Sequence, residues 1–168
     1  MHHHHHHMYD ATRINQDLFV GGFYGDVIAM RHFVRQNNVG CVVSLIDSDV
    51  APIKRALYLP DGDHLHVHCE DDAKCGALAD NLEMLFNYLW LKIHNEHKTV
   101  LIHCHAGVSR SATLAIYYIM RTNQIDYEQA FQYVYGKRAV HPSEHFVELL
   151  KGKCVYSYVD NKLVVRVE

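Results

Sequence analysis

A run of nine residues near the middle of the chain carries the clearest chemistry, and it reads His103-Cys104-His105-Ala106-Gly107-Val108-Ser109-Arg110-Ser111. The run lies between a buried apolar segment and a segment that predicts a helix. A cysteine in this position begins a tight loop whose backbone N–H groups converge on one point, where the positive end of the following helix is also directed. The sequence therefore predicts a cradle for a tetrahedral anion. The same electrostatic field favours the thiolate of Cys104, which is a nucleophile.

Several residues of this run have distinct expected roles. Arg110 presents a planar fork that binds two phosphate oxygens, a geometry that lysine cannot supply. Gly107 lets the backbone turn without a Cβ clash. Ser111 is expected to donate a hydrogen bond to the sulfur and so ease departure of the thiolate, and His103 to hold the loop and tune the Cys104 thiolate. The predicted phosphate-binding residues are His105, Ala106, Gly107, Val108, Ser109 and Arg110.

The elements that position this run follow from hydrophobic patterns along the chain. Buried or alternating apolar runs predict strands at Gln16 to Val20, Cys41 to Ile46, His64 to Cys69 and Thr99 to His103. Amphipathic or apolar patterns and caps predict helices from Asp26 to Asn37, Gly76 to about Glu96, Arg110 to Thr122, Asp126 to Tyr135 and Pro142 to Leu150. The segment from Asp47 to Asp63 is expected to be irregular, with a turn of helix around Lys54. Alternating strands and helices predict a three-layer α/β fold, with a mainly parallel central sheet flanked by helices.

Residues 1–7 have the sequence of an expression tag, so we assign a single domain to residues 8–151 and a C-terminal hairpin extension to residues 152–168. In the hairpin, Val155 to Val159 and Leu163 to Val167 flank the turn residues Asp160-Asn161-Lys162. The composition, 49% hydrophobic and 21% charged, is that of a globular domain.

The formal net charge of −3 gives no overall basic field, so nucleic-acid binding is not expected and any anion site must be local. Apolar runs are far shorter than the ~18 residues that span a membrane, and no signal segment follows the tag, so no membrane association is expected. The five cysteines are odd in number and irregular in spacing. They favour free thiols and an intracellular location, cytoplasmic or nuclear.

The order His-Cys, five residues, Arg and Ser resembles the signature of the cysteine-dependent protein phosphatases, and Ala-Gly-Val-Ser-Arg-Ser is similar to the dual-specificity branch. The resemblance extends over most of Asp10 to Leu150, and it includes Leu18-Phe19-Val20-Gly21 and the residues Arg138, Pro142 and Phe146. It implies the phosphatase fold, phosphorylated proteins as substrates and no metal or cofactor. It also implies hydrolysis of phosphotyrosine and of phosphoserine or phosphothreonine through a phospho-cysteine.

The family also uses a general acid, an aspartate that lies on a mobile loop before the cysteine and protonates the leaving oxygen. Asp71 matches this position best, and Asp72 remains an alternative. Two positions depart from the family pattern, because Ser143 stands where Asn is common and Ala139 where Pro is frequent. The support of the phosphate loop is therefore expected to differ.

Other functions fit parts of the sequence less well. An RNA 5′-phosphatase or triphosphatase has a related fold, but such loops tend to read His-Gly-x-Asn-Arg-Thr, and the net acidic charge also argues against it. A catalytically weak phosphoprotein-binding module typically lacks the nucleophile, whereas Cys104 is present. A homodimer is a further possibility if the apolar strands of the hairpin pair between two chains rather than extend the sheet.

Some residues have a structural and a functional interpretation. His64, His66 and His68 share one strand face and, with His103, His105 or Cys69, suggest a metal site, but such histidines are more often hydrogen-bonded. Cys69 or Cys75 could form a disulfide with Cys104 on oxidation. Lys137 and Arg138 are interpreted as a solvated helix end rather than as residues that attract acidic substrates.

Overall fold

The computed structural model describes residues 8–168, and the predicted tag at residues 1–7 lies outside them. The strands are β1 (Ala11–Asn15), β2 (Leu18–Gly21), β3 (Val39–Ile46), β4 (His64–His68), β5 (Thr99–His103), β6 (Cys154–Val159) and β7 (Lys162–Val167). The helices are α1 (Val27–Gln36), α2 (Ala51–Leu57), α3 (Ala77–Asp80), α4 (Leu82–Trp90), α5 (Arg110–Asn123), α6 (Tyr127–Tyr135) and α7 (Glu144–Lys151), with a π-helical turn at Leu91–Asn95.

In the described part of the chain, strands β1 to β5 form one sheet in the order β1-β2-β5-β3-β4. Strand β1 is antiparallel to β2, and the other neighbours are parallel. Strand β5 lies at the centre, with His103 opposite Gly21 of β2 and Ser44 of β3. Because parallel strands end at the same edge, the segments after β2, β3, β4 and β5 lie close together. The mainly parallel sheet predicted from the sequence is confirmed.

Helices cover both faces of the sheet, which confirms the predicted three-layer α/β fold. Along β5, Val100 and Ile102 pack into the core that includes α4 to α7, while Leu101 packs into the core with α1 and α2. Every residue of α5 from Arg110 to Met120 is buried. No helix within residues 8–168 is long and apolar enough to cross a bilayer.

The helix predicted from Gly76 to Glu96 is interrupted, although its apolar stripe is buried as expected. Asn81 separates α3 from α4, and its side-chain amide donates to the carbonyl of Ala77 at 2.7 Å. This local hydrogen bond competes with the helical backbone. A π-helical turn then follows Trp90 in place of a continued α-helix.

Two further differences concern short elements. Strand β1 precedes the predicted first strand and was not expected, because in its sequence Ala-Thr-Arg-Ile-Asn only Ile14 is buried. The segment predicted to be irregular contains α2, in which a proline occupies the first turn and Tyr58 ends the helix in a left-handed conformation. Both elements carry weaker hydrophobic periodicity than the buried strands.

The predicted hairpin is present as β6 and β7, which pair antiparallel through Asp160 and Asn161. Both turn residues have positive φ, 51° and 65°, as the tight two-residue hairpin turn requires. Within the described residues this hairpin is a separate sheet and does not extend the central one. The side chain of Gln124 bonds the backbone N–H and carbonyl of Val167, which fastens the hairpin to the end of α5.

A buried ion cluster lies at the opposite end of β4 from the loops. Asp63 accepts hydrogen bonds from Lys92 at 2.9 Å and from Lys98 at 2.7 Å. Its side chain is only 8% exposed and that of Lys92 only 9%. Burial raises the pKa of Asp63, but the hydrogen bonds from the two lysines outweigh this effect and lower the pKa below its ordinary value.

The first prediction follows from this cluster. Asp63→Ala should lower the free energy of unfolding by about 3 kcal/mol, because it leaves a buried ammonium group poorly paired. Urea denaturation measures this loss. The matched control is Glu128→Ala, which breaks the exposed pair with Lys151 and should cost less than about 1 kcal/mol.

The same difference should depend on pH. When folding lowers the pKa of a carboxyl group, the group contributes its full stabilisation at any pH above its pKa in the unfolded state, about 3.9 for aspartate. This stabilisation is lost as the pH falls towards the pKa in the folded state. The difference in free energy of unfolding between the parent and Asp63→Ala should therefore become smaller at acidic pH. The prediction is contradicted if, at pH 7, Asp63→Ala loses no more free energy of unfolding than the control Glu128→Ala.

Candidate active site

Cys104 follows β5 directly, and its side chain is almost completely buried. The backbone N–H of Gly107 donates to its sulfur at 3.3 Å. The hydroxyl of Ser111, in the first turn of α5, lies 3.2 Å from the same sulfur. Two potential donors therefore converge on Sγ.

The loop from Cys104 to Ser109 has all of its backbone carbonyls held by donors from outside the cradle. The donors are His103 Nδ1 to Cys104, Phe23 N–H to His105, Arg138 to Ala106 and Gly107, His141 N–H to Val108, and Thr113 N–H to Ser109. Their distances run from 2.6 to 3.2 Å. A peptide group is planar, with its carbonyl and N–H on opposite sides. The N–H groups of residues 105–110 are therefore directed to the inner side, as the Gly107 bond to sulfur illustrates.

Two glycines permit this packing. Gly107 has φ +73°, and a Cβ there would lie 2.6 Å from the backbone carbon of Gly21. A Cβ on Gly22 would lie 2.5 Å from the carbonyl oxygen of His105. The chain at the end of β2 therefore meets the loop at a distance that leaves no room for a Cβ at Gly107 or Gly22.

Arg110 begins α5, and its side chain is buried. Its Nη1 donates to the carbonyl of Cys69, at the end of β4, at 2.8 Å and lies 3.4 Å from Asp47 Oδ1. Its Nε is buried and has no hydrogen-bond partner within residues 8–168. The guanidinium is thus anchored on one side and retains a donor for an anion.

Asp47 is a site residue that the sequence analysis missed. Its carboxylate accepts a hydrogen bond from His105 Nε2 at 3.1 Å as well as facing Arg110. A hydrogen bond from its own backbone N–H lowers the pKa of Asp47, and the contacts with His105 and Arg110 lower it further. Its position directly after buried strand β3 was the available signal, because this end of the sheet also carries the Cys104 loop.

A buried polar chain supports the loop from below. His103 Nδ1 lies 3.0 Å from the carbonyl of Cys104, so this nitrogen carries the proton. Its Nε2 is then an acceptor, and it receives the hydroxyl proton of Ser44 at 2.6 Å. The Ser44 oxygen in turn accepts from His64 Nε2 at 2.9 Å.

The two histidines of this hydrogen-bonded network, His103 and His64, are neutral near pH 7. Burial lowers the pKa of His103 to about 4 and that of His64 to about 3. His103 therefore acts on Cys104 through a backbone hydrogen bond, and not as a positive charge beside the sulfur.

The strand histidines have protein partners of their own, because His66 Nε2 lies 3.1 Å from the carbonyl of Ile46 and His64 bonds Ser44. Within residues 8–168, no group of three or more histidine, cysteine, aspartate or glutamate side chains is arranged to hold a metal ion.

The two acidic candidates have different surroundings. Asp72 accepts from the backbone N–H of Lys74 at 2.8 Å and so bonds within its own loop. Asp71 instead accepts from the hydroxyl of Ser143, just before α7, at 2.9 Å. The backbone N–H of Ser143 also donates to Ser109 Oγ at 3.0 Å. The structure thus brings Asp71, rather than Asp72, to a segment that packs on the phosphate loop.

The five cysteines are unpaired. Cys69 is fully buried, and burial raises the pKa of its thiol to about 12. The sulfur of Cys75 accepts a weak hydrogen bond from the backbone N–H of Glu70. A disulfide between either residue and Cys104 stays a prediction.

Residues 23–153 match the family described as "Dual specificity phosphatase, catalytic domain". The chain belongs to the dual-specificity phosphatase family. The predicted resemblance is confirmed, and membership makes the chain a protein phosphatase, a phosphoric monoester hydrolase.

Two relatives show how far this phosphatase domain extends in other proteins. This chain is 31% identical over 141 residues to AMV078 of Amsacta moorei entomopoxvirus, a protein named among the tyrosine-protein phosphatases. The alignment covers 83% of this chain and 84% of that protein. This chain is 30% identical over 137 residues to human dual specificity protein phosphatase 16, covering 81% of this chain but only 19% of that protein.

Solved structures support the fold of this phosphatase. Human tyrosine phosphatase-like serine/threonine/tyrosine-interacting protein superposes with a TM-score of 0.69 at 23% identity, covering 86% of this chain and 95% of that one. The Yvh1 phosphatase domain from Chaetomium thermophilum superposes with a TM-score of 0.70 at 21% identity. This superposition covers 84% of this chain and 94% of that one.

Arg138 corrects the interpretation of the Lys137-Arg138 pair as a solvated helix end. Its side chain is only 9% exposed and forms a bidentate ion pair with Asp10 at 2.9 and 3.0 Å. The same guanidinium donates to the carbonyls of Gly107 at 2.8 Å and Ala106 at 3.2 Å. In this phosphatase, Arg138 therefore ties the phosphate loop to the N-terminal strand region.

The second prediction concerns this tie. Arg138→Met should raise the inhibition constant of inorganic phosphate by about tenfold, because an unpaired carbonyl costs about 1–3 kcal/mol and the loop N–H groups lose their alignment. Phosphate inhibition of aryl phosphate turnover measures the effect. Lys137→Met, at the neighbouring exposed position, is the control. Equal inhibition constants for the two variants contradict the prediction.

Proposed function

We propose that this phosphatase hydrolyses phosphotyrosine and phosphoserine or phosphothreonine in proteins through a phospho-cysteine on Cys104. The supporting observation is the Cys104 loop, in which six outward carbonyls direct the N–H groups towards the side of the sulfur. Arg110 adds a buried guanidinium with an Nε that has no partner within residues 8–168. This set of donors matches the charge and shape of a phosphoryl group.

The first step transfers the phosphoryl group to sulfur. Cys104 Sγ forms a bond to phosphorus in line with the oxygen of the leaving group, and the bond between phosphorus and that oxygen breaks. Asp71 gives its proton to the departing oxygen, which leaves as a neutral hydroxyl. The loop N–H groups and Arg110 stabilise the negative charge on the three transferred oxygens.

The second step returns the enzyme to its starting state. Asp71, now a carboxylate, takes a proton from a water molecule as its oxygen bonds to phosphorus. The sulfur–phosphorus bond breaks, the thiolate departs and inorganic phosphate forms. Ser111 donates a hydrogen bond to the departing sulfur, which the distance of 3.2 Å between Oγ and Sγ supports.

The scope of substrates rests on several observations. By resemblance, phosphatases strict for phosphotyrosine have a larger domain with a tyrosine-recognition segment, and the sequence contains no match to one. A shallow site would also accept the shorter phosphoserine and phosphothreonine. The net charge of −3 offers no field for RNA, and the loop sequence differs from that of RNA phosphatases.

We extend the proposal to the organisation and location of the chain. Residues 8–151 are the catalytic domain and residues 152–168 extend it. An intracellular location, cytoplasmic or nuclear, is supported by five cysteines that remain unpaired.

The C-terminal hairpin supports a homodimer. It exposes large apolar side chains, namely Tyr156, Tyr158, Val159, Leu163 and Val164, which are between 39% and 76% exposed. A two-stranded sheet also presents strand edges that a second copy can pair with. Identical edges fit each other about a twofold axis, so a second copy of this chain is the proposed occupant.

The third prediction tests the mechanism. Cys104→Ser should abolish turnover and retain phosphate binding, because the loop N–H groups and Arg110 remain. Asp71→Ala should lower turnover of phosphotyrosine peptides about 100-fold, within the usual range for a general acid, while Asp72→Ala has little effect.

Steady-state kinetics with phosphotyrosine and phosphothreonine peptides, phosphoinositides and RNA 5′-triphosphate measure these changes. Normal hydrolysis by Cys104→Ser would exclude the mechanism. If Asp72→Ala alone removes the fall in rate at high pH, where a general acid loses its proton, the general acid is Asp72. A parent protein that binds phosphopeptides without turnover would be a binding module.

The fourth prediction tests the dimer. Analytical ultracentrifugation of the full chain should show a dimer, and the double variant Tyr158→Lys, Leu163→Lys should sediment as a monomer with an unchanged melting temperature. Both residues are exposed, so the variant folds if the proposal is right. A full chain that stays monomeric at high concentration contradicts it.

A further inference from the structure

The carboxylate of Asp71 has two neighbours from the segment that begins α7. Ser143 Oγ donates to Oδ2 at 2.9 Å, and His145 Nε2 lies 3.4 Å from Oδ1. Each oxygen of the carboxylate therefore faces a different side chain. Both side chains come from a segment 72 and 74 residues further along the chain, so local sequence does not produce the contact.

The hydrogen-bond directions connect Asp71 to the phosphate loop. The hydroxyl of Ser143 donates to Asp71 Oδ2. Because the Ser143 hydroxyl proton is used in the bond to Asp71, Ser143 Oγ accepts the hydroxyl proton of Ser109, whose Oγ lies 3.1 Å away. Ser109 Oγ in turn accepts from the backbone N–H of Ser143. A reciprocal pair of serines thus joins the loop that binds phosphate to the residue that protonates the leaving group.

His145 occupies the other side of Asp71. Its Nε2 is buried and has no hydrogen-bond partner of good geometry within residues 8–168, and Asp71 Oδ1 lies within ion-pair distance. The ring also contacts Phe146, with centroids 4.2 Å apart, which limits its freedom. His145 is therefore placed to hold the second oxygen without a large movement.

The loop that carries Asp71 has few other supports. Asp72 bonds Lys74 and Cys75 inside the loop, and residues 70–74 are exposed. Arg110 holds only the beginning of the loop, through the carbonyl of Cys69. Ordering a flexible loop costs conformational entropy, and catalysis depends on the fraction of time the acid spends in position. Contacts from α7 raise this fraction.

We propose that Ser143 and His145 are positioning residues for the general acid, with Ser143 coupling Asp71 to the phosphate loop through Ser109 and His145 holding the second carboxylate oxygen. The inference rests on the proposed function, because it requires Asp71 to be the acid. It assigns a role to the residue at which the sequence departs from the family pattern. Its backbone N–H, which Ser143→Ala retains, supports the phosphate loop, and its hydroxyl binds the acid.

The test compares two substrates that differ in their need for an acid. Phenyl phosphate releases a phenol with a pKa near 10, like that of tyrosine, and needs protonation, whereas p-nitrophenyl phosphate releases a more acidic phenol that departs readily. The measured quantity is kcat/KM, which reports the steps up to phospho-cysteine formation. The variants are Ser143→Ala and His145→Ala, with Asp71→Ala as the reference.

The expected result is a selective loss. Ser143→Ala should lower kcat/KM for phenyl phosphate about tenfold, and His145→Ala about threefold, a fraction of the ~100-fold or larger effect of a whole general acid. Loss on p-nitrophenyl phosphate should be smaller in each case, and the inhibition constant of inorganic phosphate should stay within twofold of the parent. The conservative variants Ser143→Thr and His145→Gln, which keep a donor, should restore most of the loss.

Glu148→Gln is the matched control, because this exposed residue lies on the same helix and should leave both substrates unaffected. Equal losses on both substrates with weakened phosphate inhibition would show that Ser143 and His145 support only the phosphate loop, and would overturn the inference. If Asp71→Ala itself shows no selectivity for phenyl phosphate, the acid assignment fails first. If Asp71→Ala is selective and the α7 variants are not, only the positioning role fails.

Discussion

Six consecutive backbone carbonyls, from Cys104 to Ser109, must all be held away from the sulfur for this site to exist. A loop with six amides turned inward is electrostatically unfavourable by itself, because aligned N–H dipoles repel one another. The surrounding fold compensates by giving every carbonyl a donor. The segment after β2 contributes Phe23, the segment after α6 contributes Arg138, and the segment before α7 contributes His141. The order of the strands is what brings these segments around β5.

The support below the loop shows how a polar chain is accommodated in an apolar interior. Ser44 and His103 lie on the face of the sheet that otherwise packs Val42, Ile46 and Leu101 against α1 and α2. Each link has one donor and one acceptor, so no charge is needed and both imidazoles remain neutral. A network of this kind fixes the direction of the Cys104 carbonyl, because a rotated peptide would leave a buried histidine unpaired.

The sequence allowed the central features to be predicted because their signals are local. The buried run before Cys104, the spacing to Arg110 and the cap at Asp126 each depend on a few adjacent residues, and the structure has strand β5, helix α5 and a capping box there. The partners of Arg138 could not be predicted, since Asp10 lies 128 residues away and its approach depends on sheet order. The roles of Asp47 and Ser44 follow from strand neighbours as well. The π-helical turn accompanies a long-range pair, in which Lys92 reaches Asp63 across 29 residues.

The position of the carbonyl donors along the chain has a consequence for protein synthesis. Three of the six carbonyls depend on Arg138 and His141, and Arg138 in turn depends on Asp10 near the other end of the domain. A nascent chain that has not yet released residue 141 from the ribosome carries the thiol of Cys104 without the alignment that binds phosphate. Assembly of the phosphate loop therefore comes late in the synthesis of the domain, after residue 141 has emerged.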